Sequence, residues 1–181
     1  MSNTDILVIG GGPGGIVAAV TSKSNNPTKK VTFVRDKKKS LVPCGIPYIF
    51  NRLDSIEKNI LPDTSLNKND IEIIIDTAIS IYPEKKGVTL RNKGQVSYEK
   101  LILATGSKSL LPPIKGSDKD GVWQIKKDFD YLSNLRKVVC EQSKNIIIVG
   151  GGFIGVELAE EFSNMKNLNV TIVEKIDHCL G

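Results

Sequence analysis

One pattern occurs twice in this chain and limits its fold more than any other feature. Residues 5–20 read DILVIGGGPGGIVAAV and residues 145–160 read NIIIVGGGFIGVELAE. In each, a β-branched apolar run enters a cluster of glycines and leaves through small and apolar residues at helical spacing. That order predicts strand, tight turn and helix. Gly10, Gly12 and Gly15 form the first G-x-G-x-x-G, and Gly150, Gly152 and Gly155 form the second. The first glycine permits the sharp turn, the second lets backbone approach a pyrophosphate, and the third lets helix pack on strand. The helix N-terminus then offers N–H groups and the positive end of its dipole to the anion. A dinucleotide is the expected ligand of each turn, with Pro13 and Gly14 lining the first and Phe153 and Ile154 the second.

Glycine turns also occur without ligands, so the context matters. Each copy is followed by a second strand, at residues 31–35 (VTFVR) and 170–174 (VTIVE), completing a βαβ unit. The acidic residue that ends such a strand bonds ribose hydroxyls, and Glu174 supplies it in the second copy, favouring NAD over NADP. In the first copy Arg35 stands there, with Asp36 one residue later. Asp36 serves either as the ribose contact or as an ordinary surface turn residue.

Between the copies, residues 71–75, 78–82, 87–91 and 95–98 read as strands and hairpins. Residues 98–108 (YEKLILATGSK) predict a buried strand over 101–103 that ends in Ala104, Thr105 and Gly106. Small residues there serve packing alone or the close approach of a cofactor. An amphipathic helix over 127–140 leads into the second unit, and the boundary is placed near Pro112. The expected fold is α/β, with a Rossmann-like domain over residues 1–112 and a second, incomplete Rossmann-like domain over residues 113–181.

Composition excludes several classes. No apolar run approaches the roughly 18 residues of a membrane span. The polar start (MSNTD) lacks the basic and apolar regions of a signal peptide. Cys44, Cys140 and Cys179 are scattered and odd in number, which fits a reducing, cytoplasmic setting better than a disulfide framework. His178 beside Cys179 gives too few ligands for a metal site, so no metal is expected. The net charge of +5 comes from scattered lysines, without a basic or aromatic array for nucleic acid.

Residues 41–48 read LVPCGIPY, and Pro47 suits the first turn of a helix beginning just after Cys44. A helix dipole there would stabilise a thiolate and make Cys44 a nucleophile. Cys44 is otherwise a small buried hydrophobe. No second cysteine follows within ten residues, so its oxidised partner would be a bound thiol, a persulfide or an oxygen. Cys140, late in the 127–140 helix, reads as a core or boundary residue.

Together GGGPGG (10–15), SLVPCGIPY (40–48), LILATGS (101–107) and GGGFIGVELAE with VTIVE resemble one family. It is the single-cysteine branch of the FAD-dependent pyridine nucleotide-disulfide oxidoreductases, which includes coenzyme A-disulfide reductases, NADH oxidases, NADH peroxidases and persulfide reductases. The resemblance covers the N-terminal portion of that architecture. It implies FAD on the first turn, with Ser40 and Cys44 beside it, and NAD(H) on the second. Electrons would pass from NADH through the flavin to an oxidised Cys44. Glu157 matches a glutamate near the nicotinamide, or is simply a favourable charge near a helix start. Oxidases and peroxidases of the family carry histidine where this sequence has Pro13, which weakens a peroxide-handling role. CGIPY after a proline looks more like the coenzyme A-disulfide or persulfide reductases, with a small-molecule thiol or disulfide as partner. The intact family forms homodimers, and an unfinished sheet edge in this chain predicts self-association. The other readings are a nucleotide-binding module without turnover and an NADH oxidase-like enzyme that reduces oxygen.

Overall fold

The computed structural model describes residues 2–181, which divide into two compact units. The first comprises residues 2–40 and Leu61–Ser107, and the second Leu41–Ile60 and Lys108–Gly181. This grouping differs from a contiguous boundary near Pro112. The segment around Cys44 leaves the first unit and builds part of the core of the second.

In the first unit, strand β1 (Ser2–Ile9) leads through the glycine turn into helix α1 (Pro13–Asn25) and strand β2 (Val31–Arg35). Helix α2 (Thr64–Lys68), β3 (Glu72–Ile75), β4 (Ala78–Tyr82), β5 (Gly87–Leu90) and β6 (Gly94–Leu103) follow. The six-stranded sheet has the order β3-β2-β1-β6-β5-β4. The first four strands of that order are parallel, and β5 and β4 add on antiparallel. The two strands expected over 95–98 and 101–103 are one continuous ten-residue strand, because Ser2 to Ile9 template it along nearly its whole length. Its carboxyl end is not buried as expected, since Leu103 is 58% exposed.

Alternation distributes the strand residues between two faces. Val8, Val31 and Phe33 pack against Ile16 and Ala19 of α1 and Leu66 of α2. Leu7, Ile9, Val34 and Ile74 pack with Val88, Leu90, Val96 and Tyr98 from the antiparallel strands.

The second unit contains α3 (Phe129–Gln142), β7 (Asn145–Val149), α4 (Phe153–Ser163) and β8 (Asn169–Val173), with β7 and β8 parallel. Asp128 caps α3 by accepting from Tyr131 N at 2.9 Å, which starts the helix two residues later than expected. Leu41, Ile46, Ile49, Phe50 and Ile56 form the core with Phe129, Leu132, Leu135 and Val139 of α3 and Leu158 and Phe162 of α4. Phe50 and Phe162 meet edge to face at 5.0 Å. The other face of the β7–β8 pair, with Ile147, Val149 and Val173, is exposed. Among the described residues no helix is long and apolar enough to cross a membrane.

Asp76 shows how a buried carboxylate closes the antiparallel part of the first unit. It accepts from Thr77 N (2.7 Å), Asn92 N (2.9 Å), Lys93 N (2.8 Å) and Asn92 Nδ2 (3.0 Å). Burial pushes its pKa up, but these donors outweigh that and hold it below the ordinary 3.8. The stabilisation is therefore fully present above that ordinary value and is lost as the pH falls through the folded-state value. Asp76→Ala should lower the urea midpoint at neutral pH, and the gap from the parent protein should shrink in acid. A gap that stays constant with pH would contradict this account.

Candidate functional site

The two glycine turns share one geometry. Gly10 has φ +135° and donates to Val34 O at 2.9 Å; Gly150 has φ +107° and donates to Val173 O at 2.9 Å. A Cβ on Gly15 would lie 1.9 Å from Gly10 O, and a Cβ on Gly155 would lie 1.9 Å from Gly150 O. No side chain fits either gap. Gly12 and Gly152 cap their helices in extended conformations, and a Cβ on either would meet nothing within 4 Å. The middle of each motif is thus an open cradle before the first N–H groups of a helix, shaped for a pyrophosphate. Pro13 and Gly14 are exposed at the first helix start, as are Phe153 and Ile154 at the second.

The first turn has an additional wall. A Cβ on Gly10 would come within 2.0 Å of Ala104 O, and Ala104 N donates to Ile9 O at 2.8 Å. Ala104 therefore closes against the turn, while Thr105 and Gly106 are exposed beyond it. Ser40 Oγ lies 3.0 Å from where a Gly11 Cβ would be, so Ser40 also borders the turn.

The strand ends carry opposite charges. Val34 and Val173 receive equivalent hydrogen bonds, so Arg35 and Glu174 occupy equivalent places. Glu174 accepts from Gly151 N at 2.5 Å, Lys175 N at 2.6 Å and Ile176 N at 3.3 Å. These backbone donors, Gly151 foremost, hold its pKa below the usual carboxylate value. Arg35 is buried and binds Asp63 through Nη1 (2.7 Å) and Nη2 (2.6 Å). Its guanidinium is committed to a protein carboxylate rather than displayed to a ligand. Asp36 is exposed, and Glu157 is half-buried at the fifth position of α4, beyond its first two residues.

Cys44 lies exposed in a 3₁₀ turn, Pro43–Gly45, followed by a second, Pro47–Phe50. No α-helix begins there, which corrects the expected helix start. Pro47 has no N–H to bond the carbonyl four residues back, so the chain closes tighter i→i+3 turns, such as Ile46 N to Pro43 O at 3.2 Å. The dipole argument for the thiol loses its helix. Asn59, which the sequence did not single out, holds the turn instead. Its backbone O accepts from Val42 N at 2.9 Å, its Nδ2 donates to Val42 O at 3.1 Å, and Gly45 leaves room for its Oδ1. Cys140 is exposed rather than in the core, one position round the helix from buried Val139.

Residues 4–181 match the family model described as pyridine nucleotide-disulphide oxidoreductase. The chain belongs to that family. It is 29% identical to an NADH oxidase of Methanocaldococcus jannaschii, over 93% of this chain and 39% of that protein. It is 31% identical to an NAD(P)H coenzyme A polysulfide/persulfide reductase of Pyrococcus horikoshii, over 97% of this chain and 40% of that protein. The solved NAD-dependent persulfide reductase of A. fulgidus superposes with a TM-score of 0.87 at 26% identity, over 98% of this chain and 35% of that one. The chain thus spans about two-fifths of the length of these curated relatives.

The two kinds of glycine should respond differently to a methyl group. Gly15→Ala places Cβ against a backbone carbonyl and should cost about 3 kcal/mol or more. Gly12→Ala should cost about 1 kcal/mol at most, from poorer capping, yet abolish dinucleotide binding by filling the cradle. Thermal melts and nucleotide titrations of the two variants check this, and full binding by Gly12→Ala would contradict it.

Proposed function

We propose that this chain is the nucleotide-binding part of a flavoprotein that passes electrons from NADH to a low-molecular-weight disulfide or persulfide through Cys44. The observation that carries the reading is the duplicated turn, with two cradles of one geometry in a single chain. Gly10, Gly12, Pro13, Gly14, Gly15 and Ser40, with Ala104, Thr105 and Gly106, would hold FAD. Gly150, Gly152, Phe153, Ile154, Gly155, Glu157 and Glu174 would hold NAD(H). The open spaces at Gly12 and Gly152 fit that assignment. A bound flavin supplies the step between a two-electron nicotinamide donor and sulfur. The persulfide reductases among the relatives support sulfur as the acceptor.

The chain's own residues then do three things. The helix starts of α1 and α4 bind pyrophosphates through backbone N–H groups, without cationic side chains. Glu174 offers a carboxylate to a ribose diol and repels a 2′-phosphate. Cys44, exposed on a turn fixed by Asn59, attacks a disulfide as the thiolate. Its sulfur bonds one sulfur of the substrate and the other leaves as a thiolate. Two electrons and a proton then cleave the mixed disulfide, releasing the second thiol and restoring Cys44.

FAD added to the protein should bind, recorded as a shift of the visible flavin absorbance, and NADH should bleach it. A disulfide or persulfide should reoxidise the parent protein but not Cys44→Ser, while Cys140→Ser and Cys179→Ser behave as the parent. Reoxidation of Cys44→Ser at the parent rate would overturn the cysteine assignment. Bleaching without reoxidation by any sulfur compound would overturn sulfur as the acceptor, and absence of bleaching would leave a nucleotide-binding module. The preference for NADH over NADPH should fall about tenfold in Glu174→Ala, the size of one charged hydrogen bond. An unchanged ratio would remove Glu174 from coenzyme selection.

A further inference from the structure

Within the first unit, the corner where β2 ends poses a chemical problem. A dinucleotide on the first turn directs its adenosine ribose to the end of the second strand, where a carboxylate accepts from the 2′- and 3′-hydroxyls. Arg35 occupies that place and can only donate. Four contacts show how the chain resolves this. The side chain of Arg35 passes directly over the turn, with Cβ 2.9 Å and Cδ 3.5 Å from where a Gly11 Cβ would be. Ser40 Oγ borders the same point at 3.0 Å. Leu61 N donates to Ser40 O at 2.8 Å, which returns the chain to this corner just before Asp63. Arg35 then grips Asp63 with two parallel hydrogen bonds of 2.7 and 2.6 Å.

Exposure within the pair is unequal. The Arg35 side chain is 3% exposed and that of Asp63 is 31%. The guanidinium is therefore the buried base of the corner and the carboxylate is its accessible tip. Each Asp63 oxygen spends one lone pair on Arg35 and keeps another for a further donor. We propose that Asp63, oriented by Arg35, is the carboxylate that binds the adenosine ribose diol of the dinucleotide on the first turn. Arg35 is its positioning residue. Two residues distant in sequence supply what Glu174 supplies alone in the second unit. The buried cation beneath does not make the corner a 2′-phosphate site, because the group facing solvent is anionic.

The proposal rests on the reading of the first turn as the FAD site, and one experiment separates the two. FAD is titrated into the protein by fluorescence quenching, then displaced with ADP and with 2′-deoxy-ADP. The parent protein should prefer ADP by about tenfold, the value of a hydrogen bond to a charged group. Asp63→Asn should lose that preference, while Asp36→Asn keeps it. Asp63→Asn strands a buried guanidinium, so Arg35→Met/Asp63→Asn serves as the second variant, with folding checked by circular dichroism. It should bind FAD and likewise show no preference. A preference retained in either Asp63 variant, or lost in Asp36→Asn, overturns the assignment while leaving the FAD reading in place. Failure of the parent protein to bind FAD overturns the FAD reading, and this proposal with it.

Discussion

In both units the helix after the glycine turn lies against the strand before it at a distance only a hydrogen atom tolerates. The third glycine sits where a Cβ would be 1.9 Å from the carbonyl of the first, at Gly15 over Gly10 and at Gly155 over Gly150. That contact fixes the start of the helix relative to the strand end, and so aims its unpaired N–H groups at one point in space. At the residue between them, Gly12 or Gly152, an added Cβ would meet nothing within 4 Å. Tightness at two positions thus creates the opening at the third. The first unit adds a further constraint, because β6 brings Ala104 O against Gly10. Its turn is held by three strand ends and the second by two.

The segment bearing Cys44 depends on a different set of forces. It is part of the core of the second unit, where Ile49 and Phe50 are essentially inaccessible. Arg136 on α3 donates to the carbonyls of Ile49 (2.6 Å) and Asp54 (3.0 Å). Glu161 on α4 is wholly buried and holds Arg52, with Oε1 2.7 Å from Nε and Oε2 accepting from Arg52 N at 3.2 Å. A buried carboxylate without a cation is strongly unfavourable, so this pair also fixes which part of the 41–60 segment meets α4. Cys44 lies exposed between buried Leu41 on one side and buried Ile46 and Pro47 on the other. The thiol stands on a packed and hydrogen-bonded base without being covered.

The glycine turns and most strands were legible in the sequence because their causes are local. Alternation and the spacing of three glycines suffice. The turn at Cys44 was misread because Pro47 allows a helix start and equally forbids an α-helix from running through it from Pro43, and the chain takes the second course. Of the two readings of Cys140, core or boundary, the structure removes the core, because its exposed position is one helical step, about 100°, round from buried Val139. The pairings of Arg35 with Asp63 and of Arg52 with Glu161 join residues 28 and 109 positions apart. No local pattern encodes them. A trace did exist for Glu161, which shares the apolar face of α4 with Leu158 and Phe162. A charge at such a position announces a buried partner without naming it.

The two strand ends also differ in what they require to form. Glu174 completes its corner from within one loop, using the N–H groups of Gly151, Lys175 and Ile176. The corner at Arg35 forms only when the chain has left at Ser40, traversed residues 41–60 and returned at Leu61. That neck is closed by Leu61 N to Ser40 O in the first unit and by the Leu41–Ile60 bridge and Val42 N to Asn59 O in the second. The same hydrogen-bonded neck therefore brings Asp63 to Arg35 and sets the base of the loop on which Asn59 holds the Cys44 turn. The hydrogen bonds that hold Glu174 at the second corner need no such return of the chain.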